Sequence, residues 1–186
     1  MNPPGDETVA FELQPTLRGE LVELRPLQRD DFDALFAVAS DPLIWAQHPE
    51  RNRYEKAVFQ QFFDSGMACG GALAAIDRRT GTIIGSSRYF GFDPVAREVE
   101  IGWTFLARSY WGGRYNGEMK SLMLAHAFRF VERVVFLIGP DNLRSQRAVE
   151  RIGAVRVGSR LADGRESVVY ELRAPGNIGP PAPATS

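Results

Sequence analysis

From Gly71 to Phe105 the chain reads as three consecutive strands, and from Glu98 onward as strand, helix, strand, helix and a closing hairpin. Few architectures hold both halves. Gly71–Ile76 and Thr82–Phe90 flank Asp77-Arg-Arg-Thr-Gly81, a hairpin signal. Glu98–Phe105 alternates strictly, with Glu98, Glu100, Gly102 and Thr104 on one face and Val99, Ile101, Trp103 and Phe105 on the other. Three strands in succession followed by a strand–helix–strand unit make a mixed sheet with helices on its faces.

The remaining segments fit that frame. Glu20–Leu24 reads as a strand after the turn Arg18-Gly19, and Arg29–Ala39 as a helix with Asp30, Asp31 and Asp33 in its first turn. Tyr54–Met67 has helical apolar spacing at Ala57, Val58, Phe62 and Phe63. Asn116–Val131 is a long apolar helix, Val134–Ile138 a short buried strand, and Asn142–Ile152 a helix stopped by Gly153. Val155–Leu161 and Ser167–Leu172 close the chain as a hairpin. The order β-α-α-β-β-β-α-β-α-β-β predicts one mixed α/β (α+β) domain over residues 16–173. Its mostly antiparallel sheet has six or seven strands and about four helices. Evenly alternating βα units are absent, which argues against a doubly wound fold. Residues 1–15 and 174–186 are rich in Pro, Gly and small polar residues and are expected to be disordered.

Charge separates along the chain although the net is only −1. Residues 1–106 carry 10 Lys+Arg against 16 Asp+Glu, and residues 107–186 carry 12 against 7. The basic half suits an anion, and the acidic half a cationic partner. The small net charge gives no bulk attraction to nucleic acid or anionic membrane. The longest uncharged stretch, Ser65–Ile76, is too short to span a bilayer, and the lone Cys69 precludes an internal disulfide framework. Two histidines and one cysteine far apart offer no zinc set. His126 falls on the apolar face of its helix with Met119, Leu122, Met123 and Phe130, as a core histidine would. A cytoplasmic protein is expected, with the choice between monomer and homodimer left open.

Two blocks carry candidate chemistry. The first is Arg108-Ser-Tyr-Trp111-Gly112-Gly113-Arg114-Tyr115-Asn116-Gly117-Glu118. Glycines beside a helix start let backbone approach a ligand, and the first N–H groups of the helix favour phosphate. Asn116 is read as the N-cap, Glu118 as a first-turn acid, and Arg108 and Arg114 as phosphate partners. Gly112–Gly117 has Walker-like glycine spacing, but Glu118 stands where lysine is needed. The second block, Asn142-Leu-Arg-Ser145-Gln-Arg147 through Gly153, follows a strand, and Asn142 offers a cap to its helix.

Together these blocks resemble motifs A and B of the GNAT superfamily of acyl-CoA-dependent N-acyltransferases. The likeness extends to the branch of ribosomal-protein-alanine acetyltransferases, over roughly Leu17 to Leu172. Glu100-Ile-Gly-Trp103, Tyr110-Trp111-Gly112, and Asn142-x-x-Ser145-x-Arg147 carry it. The family's loop reads Q/R-x-x-G-x-G/A. Here Trp111 opens it, and Arg114 and Asn116 stand at small-residue positions.

The resemblance implies acetyl-CoA as cosubstrate, no metal, and a primary amine as acceptor, on a protein N-terminus or a small molecule. A non-catalytic acyl-CoA-binding module with the same fold is the alternative. Glu100 would be the base that deprotonates the amine, with Glu98 in reserve. Ser145 would stabilise the departing thiolate. Backbone at Trp103, Thr104 and Phe105 would polarise the thioester carbonyl. Arg108, Trp111, Gly112, Gly113, Arg114, Tyr115, Asn116, Gly117, Asn142 and Arg147 would hold the cofactor. Trp45, His48 and Arg88 would border the acceptor.

Overall fold

The computed structural model describes residues 10–162 and 164–176. β1 (Leu17–Arg18) and β2 (Val22–Pro26) precede α1 (Phe32–Ala39) and α2 (Lys56–Ala68). Then follow β3 (Ala72–Asp77), β4 (Ile83–Asp93), β5 (Glu98–Leu106), α3 (Arg114–Ala127) and β6 (Arg133–Ile138). α4 (Leu143–Glu150) and the hairpin of β7 (Val155–Ala162) and β8 (Arg165–Arg173) end the order. The strands form one eight-stranded sheet, β1-β2-β3-β4-β5-β6-β8-β7. The strand beyond the expected six or seven is the two-residue β1. Only β5 and β6 pair in parallel, as the α3 crossover requires.

Alternation along β3 shows how the sheet divides two cores. Leu73 and Ala75 join one cluster with Met119, Met123 and Ala127 of α3, and Val149 of α4 also belongs to it. Ala72 and Ala74 join the other, with Leu35 of α1, Phe59 and Phe63 of α2, and Trp45. The N-terminal acids act less through the helix dipole than expected. Arg29–Asp31 is a 3-10 turn, and buried Asp31 binds Arg25 at 2.7 Å and accepts the Gln28 N–H.

Within the segment expected to be disordered, residues 10–15 are described, and Phe11 is buried. Its ring stacks on Phe92 and meets Tyr89, His126 and Phe130 edge-on or tilted. Buried Pro15, Leu13 packed on the same cluster and the contact of the Glu12 carbonyl with His126 Nε2 add to that ring in offsetting the ordering cost. Residues 1–9 and 177–186 lie outside the described residues. Among the described residues, no helix is long and apolar enough to cross a membrane.

Candidate active site

β5 and β6 pair only from Glu98↔Arg133 to Glu100↔Val135, although β5 runs on to Leu106 and β6 to Ile138. Past that point residues of both strands line one cleft of about 1190 Å³. The glycine loop, the start of α3, α4 and the segment around residues 45–53 form its other walls.

The strict alternation expected of β5 breaks within the cleft. Ser86 pairs with Phe105 and Arg88 with Gly102, so Trp103 and Thr104 face the single residue Ser87. This is a β-bulge, and Trp103 adopts φ 51°, a left-handed conformation costly for a bulky side chain. The bulge exchanges the faces. Ile101 packs in the α3 cluster, yet Phe105 packs with Trp45, Phe59 and Phe62 on the α2 side. Thr104 points instead to α3, where Lys120 Nζ donates to its Oγ1 at 2.6 Å. Such a bulge leaves one residue's backbone groups outside the ladder, here in the cleft wall.

Glu100 is the last residue of β5 paired to β6 and lines the cleft. Burial pushes its carboxyl up to about 7, with Arg160 opposing and Glu98 reinforcing the shift. Glu98 is bound to Arg133 at 2.7 Å, which removes it as a free base. Ser145 lines the facing part of the cleft from the first turn of α4. Asn142 caps that helix as expected, its Oδ1 accepting the Ser145 N–H at 3.3 Å.

At the loop, several expectations need correction. α3 begins at Arg114, with Gly113 as N-cap and no capping side chain, so Asn116 lies inside the first turn. Gly112 has φ +70°, a conformation that favours glycine. Gly112, Gly113, Asn116 and Gly117 line the cleft, and open space surrounds the positions a side chain would take at all three glycines. Unbonded N–H groups of the first turn therefore face a cradle of bare backbone, which suits a pyrophosphate. Arg114 turns outward to Glu20 at 2.8 Å, and Arg108 pairs with Asp41 beside a separate depression under α1. Tyr115 is directed to Asp77, which also binds Tyr110. Arg147 is exposed and does not line the cleft. None of these four side chains reaches the cradle.

Arg144 takes the place expected of them. It lies 4.0 Å over the Trp111 ring, donates to the Ile44 carbonyl and lines the cleft. Glu118 is no dipole acid. It accepts the N–H groups of Glu20, Leu21 and Val22 at 2.7–2.9 Å and staples α3 to the β1–β2 turn. At Gly19 a Cβ would stand 2.6 Å from that carboxylate, so a larger residue there would displace the Glu118 side chain from its three N–H donors.

Trp45 and His48 do line the cleft, as expected. Burial holds the His48 ring down to about 3, so it stays neutral at working pH. Arg88 does not line it. It is buried against α2, donating to Ser65 Oγ and to the Phe62 carbonyl. Among the described residues the acidic half brings one carboxylate, Glu100, to the cleft, and it also brings Arg51 and Arg53. An acidic acceptor site is therefore not what the structure contains. His126 is a core histidine, its Nε2 at 2.7 Å from the Glu12 carbonyl.

Lys120 was not anticipated. It is buried in the cleft wall, 5.5 Å from the Phe136 ring, and burial lowers its amine to about 7. Its signal in the sequence is a lysine three, four and seven residues before the buried Met123, Leu124 and Ala127.

Comparison with known proteins gives the family. Residues 22–155 match the family model described as an acetyltransferase (GNAT) domain. No curated protein sequence matches the chain. Among solved structures, a GCN5-related N-acetyltransferase from Brucella melitensis is 22% identical with a TM-score of 0.75, over 86% of this chain and 79% of that one. A GNAT-family acetyltransferase from Bacillus anthracis is 18% identical with a TM-score of 0.71, over 86% and 98%. Mycobacterium smegmatis RimJ in complex with CoA-disulfide is 17% identical with a TM-score of 0.65, over 82% of each. At these identities the likeness is one of fold.

Proposed function

The chain belongs to the GNAT acetyltransferase family, and from that premise we propose that it moves an acetyl group from acetyl-CoA to a primary amine by direct attack. The observation that carries this is Glu100. It is a half-buried carboxyl, raised to about 7 by desolvation, at the point where β5 and β6 part to form the cleft.

Acetyl-CoA supplies a thioester carbonyl as the acetyl donor. The bare backbone of Gly112, Gly113 and Gly117 with the first turn of α3 suits its pyrophosphate, and Arg144 adds a cation beside them. Asn116 lies in the same wall. The bulged backbone at Trp103 and Thr104 offers donors for a developing oxyanion.

Glu100 accepts a proton from the amine, directly or through water, because an amine near pH 7 is mostly protonated and unreactive. The amine nitrogen then forms the bond to the carbonyl carbon as the carbon–sulfur bond breaks, and the second proton that nitrogen sheds to become an amide ends on the departing sulfur. The Ser145 hydroxyl makes no hydrogen bond among the described residues and donates to the leaving sulfur.

Release of free thiol from acetyl-CoA, followed over a panel of amines, tests the proposal. Amine-dependent release that collapses in Glu100→Gln supports it. Binding of acetyl-CoA with no transfer to any amine would leave a binding module instead.

A further inference from the structure

Three guanidiniums gather where the segment after α1 meets the cleft, and one carboxylate, Glu50, lies near two of them, Arg53 and Arg165. Arg53 stands 4.6 Å from the Phe62 ring and 5.5 Å from Trp45. Arg88 shares Phe62 at 4.5 Å and lies 5.2 Å from Trp103. The result is a stack in the order Trp45, Arg53, Phe62, Arg88, Trp103. Arg53 also feels the charges of Arg88 and Arg165. Glu50 is the nearby carboxylate, and Arg165 binds it.

The two stacked arginines have different partners. Arg88 is buried and spends its N–H groups on Ser65 and Phe62. Arg53 lines the cleft, and its polar neighbour among the described residues is His48 Nε2 at 3.0 Å. His48 Nδ1 accepts the Glu50 N–H at 2.9 Å. That contact engages at most one of the five N–H donors of the guanidinium. The planar fork of Arg53 is thus held between aromatic faces, with its remaining donors available to the cleft. Such a pre-ordered fork matches a carboxylate in bidentate fashion. Arg51, Arg160 and Arg165 line the same cleft, as does Glu166.

We propose that the acceptor is an amine that also carries a carboxylate, which sits on the Arg53 guanidinium while its amine reaches the cleft wall at Glu100. This rests on the acetyl-transfer reading above. A monoanion fits better than a phosphate, because Glu100 must itself ionise in the same cleft and a dianion would oppose that more strongly.

The test compares β-alanine, γ-aminobutyrate and α-amino acids with their own carboxamides, by thiol release from acetyl-CoA. Wild type, Arg53→Gln and Arg53→Lys are assayed, with thermal melts and acetyl-CoA affinities measured alongside. Wild type is expected to favour the acids in kcat/KM by about 10- to 100-fold, the scale of a charge-assisted hydrogen bond. In Arg53→Gln that ratio falls to about one. Arg53→Lys keeps part of it and serves where the glutamine variant does not fold. Transfer to amides as fast as to acids overturns the proposal and leaves acetyl transfer standing, as does a preference for a phosphorylated amine. A tenfold loss of acetyl-CoA affinity in Arg53→Gln places Arg53 on the cofactor and also overturns it. Acetyl-CoA binding with no transfer to any amine defeats both readings.

Discussion

Replacing Lys120 by Met is expected to stabilise the protein. Lys120 Nζ is buried with one hydrogen bond, to Thr104 Oγ1, and burial holds its amine at about 7 instead of the usual 10.5. At pH 7 that depression corresponds to roughly 4 kcal/mol of lost stability. Deleting the hydrogen bond gives back about 1 kcal/mol, and Thr104 keeps its bond to Ser87 Oγ at 2.8 Å. Methionine has a similar unbranched shape and no charge to desolvate. The net gain is about 3 kcal/mol, or roughly 6–12 °C in Tm for a chain of this length.

The pH dependence gives the sharper check. The folded pKa lies below the unfolded one, so the unfolded chain holds the extra proton between about 7 and 10.5. Wild-type stability therefore gains from this group as pH rises through that window, and the Lys120→Met variant lacks that gain. Urea unfolding of both proteins at pH 7, 8, 9 and 10 reads the difference directly. A variant less stable than wild type at pH 7, or a difference that does not shrink toward pH 10, would refute the reasoning. Turnover in the variant is expected to fall, because Lys120 orients the Thr104 hydroxyl in the cleft wall; stability is commonly traded for such a group.

Glu100→Gln should lower kcat by about 10²–10⁴-fold with little change in acetyl-CoA affinity. In wild type, kcat/KM should rise with pH and level off above about 7, because Glu100 must lose its proton to act; a flat profile from pH 6 to 8 would remove it as the base. Ser145→Ala should reduce kcat by about 10- to 100-fold while calorimetry shows unchanged acetyl-CoA binding. Asn116→Ala should raise stability by about 0.5 kcal/mol, since alanine is the better helix former and no cap is lost. The same change should weaken acetyl-CoA binding, and a stability loss near 1 kcal/mol would instead restore Asn116 as a cap.

The periodicities of 2 and 3.6 made the strands and helices legible, and Asn142 and Ser145 fell where motif and cap agreed. The bulge at Trp103 was not legible, because Glu98–Phe105 keeps its alternating pattern whether or not one residue is extra. Gly102, a glycine within a strand, was the only local hint. The loop failed for a related reason. Asparagine is the stronger cap, so the sequence points to Asn116 rather than Gly113, which puts the N-cap three residues late. Each residue turns a helix by about 100°, so a misplaced start gives no guide to which side chains face the cleft. Arg114 and Tyr115 were assigned to the cofactor and in fact bind Glu20 and Asp77. Arg88 is named from the sequence as an acceptor residue but is buried against α2 instead, and Arg53 gives no motif signal because the rings of Trp45 and Phe62 that hold it lie in separate segments.

The base and the cleft have one origin. A parallel strand pair appears in this sheet only where α3 crosses from β5 to β6, and the two strands hold together for three residues before parting. Glu100 is the third. Its backbone is fixed by the last pairing, and its half-buried carboxyl is desolvated in the cleft wall. Burial without a partner raises a carboxyl toward neutrality, which is what a base working on amines near pH 7 requires. The bulge three residues on then turns Thr104 toward Lys120 and frees backbone in the same wall. A substitution that lengthened the β5–β6 pairing by one step would close the cleft and bury Glu100 further, so loss of acetyl-CoA binding and a still higher Glu100 pKa should appear together.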